Sequence, residues 1–126
     1  SCRFFGGIPY AAPPVKHCRW RRPAAVVPWG EVVLDCTQGR RDRRACCPQQ
    51  TPEGWQRQGF GHSEDCLHLN VWTPCSVPRQ GCPVLVWVHG GGFMEGAGQD
   101  EEGFSDGVCF TTVHGVIFCS LNYRVG

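Results

Sequence analysis

The chain holds no run of about 18 consecutive apolar residues, so no helix of it could span a bilayer. It carries almost no excess charge. Lys and Arg together number 12 against 11 Asp and Glu, a net charge of +1. No global field is therefore available to recruit nucleic acid or an acidic membrane. No CxxC pair occurs, and Cys66-Leu67-His68 stands too isolated for half of a zinc site, so neither metal nor cofactor is expected. There is no internal repeat and no long amphipathic helix. The basic run Arg40-Arg41-Asp42-Arg43-Arg44 reads as a solvated loop. The cluster Arg19, Arg21, Arg22 lacks the aromatic interleaving that stacks bases.

What is present is a small globular chain. Its 126 residues are 41% apolar and 18% charged, enough for one core and too apolar for disorder. Ten cysteines favour an oxidising compartment, extracellular or in the secretory lumen. The chain begins Ser1-Cys2-Arg3 without an initiator Met and stops at Arg124-Val125-Gly126, directly after an apolar run. Both ends read as cut, and a fragment is expected, so a missing leader carries no information.

Strands dominate the pattern. Leu67, Leu69 and Val71 alternate with His68, Asn70 and Trp72, a period of two. Val84 to Val88 and Val116 to Leu121 are apolar runs of the kind buried on both faces. Residues 67–73 and 84–88 are placed to pair as an antiparallel hairpin. Val26-Val27 and Val32-Val33-Leu34 suggest short strands around a turn at Pro28-Trp29-Gly30. Pro13-Pro14 requires an extended link, residues 37–62 a long surface excursion, and 108–114 a short helical turn.

The segment PVLVWVHGGGF (83–93) joins an apolar strand to three glycines. Ordering three glycines is entropically costly. Either the backbone must lie bare against a ligand at the end of a strand, or this is a plain glycine turn. These residues alone leave both readings open.

Catalytic motifs do not decide the matter. GxSxG occurs once, at Gly103-Phe104-Ser105-Asp106-Gly107. A nucleophile elbow needs a strand before the serine, and Gln99-Asp100-Glu101-Glu102 is not one. Those carboxylates would also oppose a developing oxyanion. The match is read as chance. His62, His68 and His114 fall in turns or at polar strand positions, and no Ser–His–acid triad is visible.

Five stretches together do carry a resemblance. FFGGIPYAAPPV (4–15), RWRRP (19–23), SEDCLHLNVWTP (63–74), PVLVWVHGGGF (83–93) and VIFCSLNYRVG (116–126) resemble the type-B carboxylesterase/cholinesterase family, in that family's order and over nearly the whole chain. The resemblance implies an α/β class, with residues 1–126 as the N-terminal, strand-rich portion of an α/β-hydrolase domain whose catalytic part is missing. It implies a serine esterase acting on a small-molecule ester. Gly91 and Gly92 would supply oxyanion-hole N–H groups, and the nucleophile, acid and histidine would lie beyond residue 126. It further implies a disulfide ending at Cys66, with Cys47 as partner and Cys46 as the rival, and an ion pair between Arg19 and Glu64.

The chain departs from the family in two respects. The loop between Cys47 and Cys66 is shorter than in cholinesterases, and Trp55 cannot be assigned to their choline-binding role. Cys36, Cys46, Cys75, Cys82, Cys109 and Cys119 are extra to the pattern. Two other readings stand beside the esterase: a non-catalytic, neuroligin-like adhesion relative, and a truncated product that leaves 84–88 and 116–121 bare and is itself inactive.

Overall fold

The structure is a computed structural model, and it describes residues 1–37, 45–50, 61–99 and 106–126. Its frame is a sheet of four strands: β1 (Cys2–Pro9), β2 (His68–Pro74), β3 (Val84–Val88) and β4 (Ile117–Leu121), in the order β1-β2-β4-β3. β1 and β4 flank β2 antiparallel, and β3 runs parallel to β4. One α-helix, α1 (Val108–His114), lies on the crossover from β3 to β4, as a parallel pair requires. A short 3₁₀ turn at Lys16–Cys18 follows the two prolines. Among the described residues no helix is long and apolar enough to cross a membrane.

The hairpin expected between 67–73 and 84–88 does not form. Both segments are strands, but β4 inserts between them and pairs with each. Periodicity marks a strand without naming its neighbour, and adjacency in sequence misled here. Val26-Val27 and Val32–Leu34 do not become strands either. The turn is there, with the Val32 N–H donating to the Trp29 carbonyl at 3.1 Å, but the flanking valines pair with no strand among the described residues, and Val27, Val32 and Val33 stay exposed.

Burial also runs against the expectation for β3. Val84, Val86 and Val88 are 61%, 57% and 60% exposed. Among the described residues β3 is an edge of the sheet, hydrogen-bonded on the β4 side alone. On β2 the alternation is real, yet the polar-looking face is the buried one. His68, Asn70 and Trp72 are buried, while Leu69 and Val71 are half-buried. The buried Asn70 amide is satisfied: it accepts from the Gly7 N–H (3.0 Å), across the bulge in β1, and donates to Ser120 (3.3 Å). Ser120 in turn donates to the Gly98 carbonyl at 2.6 Å.

α1 covers the same face. Phe4 packs on Trp72 (4.8 Å between ring centroids), Trp72 meets Phe118 edge-on (5.6 Å), and Phe110 of α1 stacks on Phe118 (5.3 Å). A second cluster, of Ala11, Cys47, Cys66, Leu67 and Val125, sits beyond the start of β2. Cys47 and Cys66 are joined by a disulfide, with Cα atoms 5.1 Å apart. Cys46 is free and buried. Its thiol faces the Gly61 carbonyl, and burial pushes its pKa up, which favours the thiol over the thiolate. The isolated bridge Cys46–His62 and the disulfide close the excursion at its base. Trp55, the basic run at 40–44 and Ser105 lie outside the described residues.

Non-reducing peptide mapping is expected to recover Cys47 linked to Cys66, with Cys46 carrying the alkylating label. Removing both linked cysteines together should cost about 3 kcal/mol of unfolding free energy, the chain-entropy value for a loop of this length, as read by urea titration. A Cys46–Cys66 peptide would contradict the assignment.

Candidate functional site

The register of the parallel pair places Val88 opposite Leu121. Both strands therefore end at one rim, and the segments leaving them, 89–98 and 122–126, run side by side. This is where parallel α/β sheets hold their ligands.

The His89 ring lies flat on Tyr123, 4.0 Å between centroids and 9° between planes. The Tyr123 hydroxyl donates to the His89 carbonyl at 2.6 Å. Asn122 accepts from the Gly98 N–H (2.6 Å) and donates to the Ala45 carbonyl (3.1 Å). Gly126 N–H donates to the Phe93 carbonyl at 2.8 Å. Phe93 is held at φ 62, a left-handed conformation uncommon for a bulky side chain, and its ring meets Tyr123 at 6.4 Å.

Within the glycine loop, His89 Nδ1 lies 2.8 Å from the Gly90 carbonyl oxygen. A carbonyl can only accept, so Nδ1 carries the proton. A trans peptide group points its N–H opposite to its C=O. Anchoring the Gly90 carbonyl therefore aims the Gly91 N–H away from His89. The Gly91 carbonyl accepts from the N–H groups of Met94 (3.0 Å) and Glu95 (3.2 Å), which fixes the next peptide plane and with it the Gly92 N–H. Neither the Gly91 nor the Gly92 N–H has an acceptor among the described residues, and both residues are exposed.

Only glycine fits this path. Gly91 has φ 111 and Gly92 φ 61, and a Cβ on Gly91 would run into the Glu95 carbonyl. Gly96, at φ 122, leaves no room for a Cβ, which would run into the His89 ring and the Gly90 carbonyl. The result is two adjacent, outward-facing backbone donors whose carbonyl partners are tied down. Such a pair can hold an anion or a carbonyl oxygen that gains charge.

Arg19 Nε lies 2.6 Å from Glu64 Oε1, so the ion pair tethers the N-terminal segment just ahead of β2. Both side chains are partly exposed, which keeps its contribution to stability small. Tyr123, Asn122 and Gln49 carry no assigned role in the sequence reading, although each grips the loop. Their signal was a lone polar or aromatic residue inside an otherwise unexplained motif. Among the described residues no group of three or more His, Cys, Asp or Glu is arranged to hold a metal ion.

The mixed sheet and its glycine loop match part of solved esterases of the α/β-hydrolase fold. The solved structure of a thermophilic PNB esterase superposes with a TM-score of 0.83 at 39% identity, over 99% of this chain and 25% of that one. Among curated proteins, the fumonisin B1 esterase of Sphingopyxis macrogoltabida is 42% identical over 97% of this chain and 21% of its own length. The acetylcholinesterase of Bungarus fasciatus is 42% identical over 97% of this chain and 20% of its own. The carboxylesterase family model matches residues 1–126. The chain belongs to the carboxylesterase family, and it spans about a fifth of the length of those curated relatives.

His89 is buried, its Nε2 meets no partner among the described residues, and desolvation lowers its pKa, with the Gly90 hydrogen bond opposing in part. The unfolded chain then binds a proton on this residue more readily than the folded one. The associated stability is whole above a pH of about 6.5 and is lost as pH falls toward the lowered folded value. An NMR titration of the His89 ring should give a midpoint below about 6.5. A midpoint above that would mean that the ring gains a partner for its charge.

Proposed function

We propose that the chain is the N-terminal part of a secreted serine carboxylesterase and that it contributes Gly91 and Gly92 to the oxyanion hole. In this reading the nucleophilic serine, the acid and the catalytic histidine lie beyond residue 126, together with a further N–H donor from the residue after the serine. The serine attacks the carbonyl of a small-molecule ester, an acyl-enzyme forms, and water releases the acid. At each tetrahedral stage the carbonyl oxygen becomes an oxyanion. Donors fixed in advance stabilise that charge without reorganising, and losing one costs about 3 kcal/mol in the transition state.

The observation that carries the reading is the pair of N–H groups on Gly91 and Gly92 that have no acceptor among the described residues, each oriented by a carbonyl that is already hydrogen-bonded. The disulfide agrees with an oxidising compartment. Relatives named as esterases support the reaction class. No cofactor is needed for this chemistry. Residues 1–126 alone are inactive in this reading, because the nucleophile is not among them.

The test starts with the coding sequence past Gly126. A strand–GxSxG–helix pattern, with an acid and a histidine later, is expected there. The full product should hydrolyse p-nitrophenyl esters, and Gly91→Val should reduce kcat/KM by about 100-fold or more. Gly92→Ala puts a Cβ on a residue at φ 61 and should also lower kcat/KM, and far-UV circular dichroism of both variants provides the check on folding. Normal turnover by both variants, or hydrolysis by residues 1–126 above a Ser105→Ala control, would defeat the reading. Gly or Ala at the serine position would move the protein to the adhesion-type relatives.

A further inference from the structure

Gln49 reaches 47 residues along the sequence to seize one glycine. Its Nε2 donates to the Gly96 carbonyl at 2.9 Å, and its Oε1 accepts from the Gly96 N–H at 2.7 Å. Nε2 also donates to the Cys47 carbonyl at 3.0 Å. Both amide hydrogens and the amide oxygen are thus engaged, and a flipped amide would set donor against donor. The grip reproduces the two-way pairing of a strand neighbour at a point where no strand runs.

Gly96 is where the glycine loop returns toward the body of the protein. It packs so closely that a Cβ there would run into the His89 ring and the Gly90 carbonyl, the two groups whose hydrogen bond orients the Gly91 N–H. At the other end, Cys47 is tied through its disulfide to Cys66, which is wholly buried just before β2. A continuous line of contacts leads from the sheet through Cys66, Cys47, Gln49 and Gly96 to His89 and the Gly91 donor.

We infer that Gln49 is a positioning residue for the Gly91 N–H, holding Gly96 against His89 so that the donor keeps its aim. The inference rests on the proposed reading of Gly91 as an oxyanion donor. Gln49 touches no substrate and acts only through Gly96. Its loss should therefore appear in kcat and not in ground-state binding.

The experiment uses the full-length product that carries residues 1–126, with a p-nitrophenyl ester as substrate. Near neutral pH, Gln49→Ala and Gln49→Glu should each lower kcat by about 10- to 100-fold, with KM changed by less than about threefold. Gln49→Glu separates aim from folding. Its carboxylate can accept from the Gly96 N–H but sets lone pairs against the carbonyls of Gly96 and Cys47. Once protonated it has one acceptor and one donor, nearly the shape of the amide. The kcat of Gln49→Glu relative to the parent should rise as pH falls through the carboxyl titration, while the same ratio for Gln49→Ala stays flat. Affinity for an aryl trifluoromethyl ketone, whose adduct places an oxyanion in the hole, should fall in step with kcat.

The inference is overturned if both variants keep kcat within about twofold of the parent, or if the Gln49→Glu ratio is flat with pH. Should Gln49→Ala fail to fold, the Gln49→Glu ratio decides alone. An inactive Gly91→Val beside normal Gln49 variants removes the clamp and leaves the oxyanion reading. A parent without esterase activity, or a fully active Gly91→Val, removes both.

Discussion

The site depends first on the parallel register of β3 with β4. Setting Val88 opposite Leu121 brings the strand ends to a common rim. Without that register the glycine loop and the Asn122-Tyr123 pair would have no reason to meet. A slip of one residue would turn every side chain of β3 to the other face and move His89 off the Tyr123 ring. The antiparallel pairs β1–β2 and β2–β4 serve this register from behind, since they hold β4 in place. The buried Asn70–Ser120–Gly98 chain of hydrogen bonds links the sheet interior to the returning limb of the loop.

The loop itself has little to hold it. Gly90 to Met94 are exposed, and the three glycines bring no side chains to pack. Its order is imposed through backbone carbonyls and N–H groups gripped by others. His89 takes the Gly90 carbonyl, Gly126 the Phe93 carbonyl, Gln49 both sides of Gly96, and Asn122 the Gly98 N–H. Every grip falls on a group other than the Gly91 and Gly92 N–H. Both residues are exposed, and neither N–H has an acceptor among the described residues. Their open valence therefore carries none of the penalty of a buried donor.

Much of this frame was legible from sequence. Val84–Val88, Ile117–Leu121 and the stretch beginning at His68 are strands, and Val108–His114 is a helix, because local periodicity and β-branched content suffice for such elements. The order β1-β2-β4-β3 was not legible, since a nonlocal partner leaves no trace in the period of either strand. Nor was the inward turn of His68 and Asn70. Side-chain polarity suggested the solvent face, but Asn70 finds Gly7 and Ser120 inside. The pairing of Cys47 with Cys66 and of Arg19 with Glu64 came from resemblance, and spacing could not have chosen Cys47 over its neighbour. Gln49 escaped notice because a glutamine beside a disulfide has no chemistry of its own to announce.

The exposed valines of β3 show how far the chain's own contacts extend. Val84, Val86 and Val88, at 57–61% exposure, line one face of an edge strand and leave that face uncovered among the described residues. The apolar run there is the kind a parallel sheet buries on both sides. The bare edge and the unpaired donors lie on the same strand and the loop that leaves it. Anything that added a strand beside β3 would also extend the rim next to Gly91 and Gly92. Under the proposed oxyanion reading, packing that covered Val84, Val86 and Val88 would adjoin the loop carrying Gly91 and Gly92, and any water it excluded there would strengthen their hydrogen bonds to a developing oxyanion.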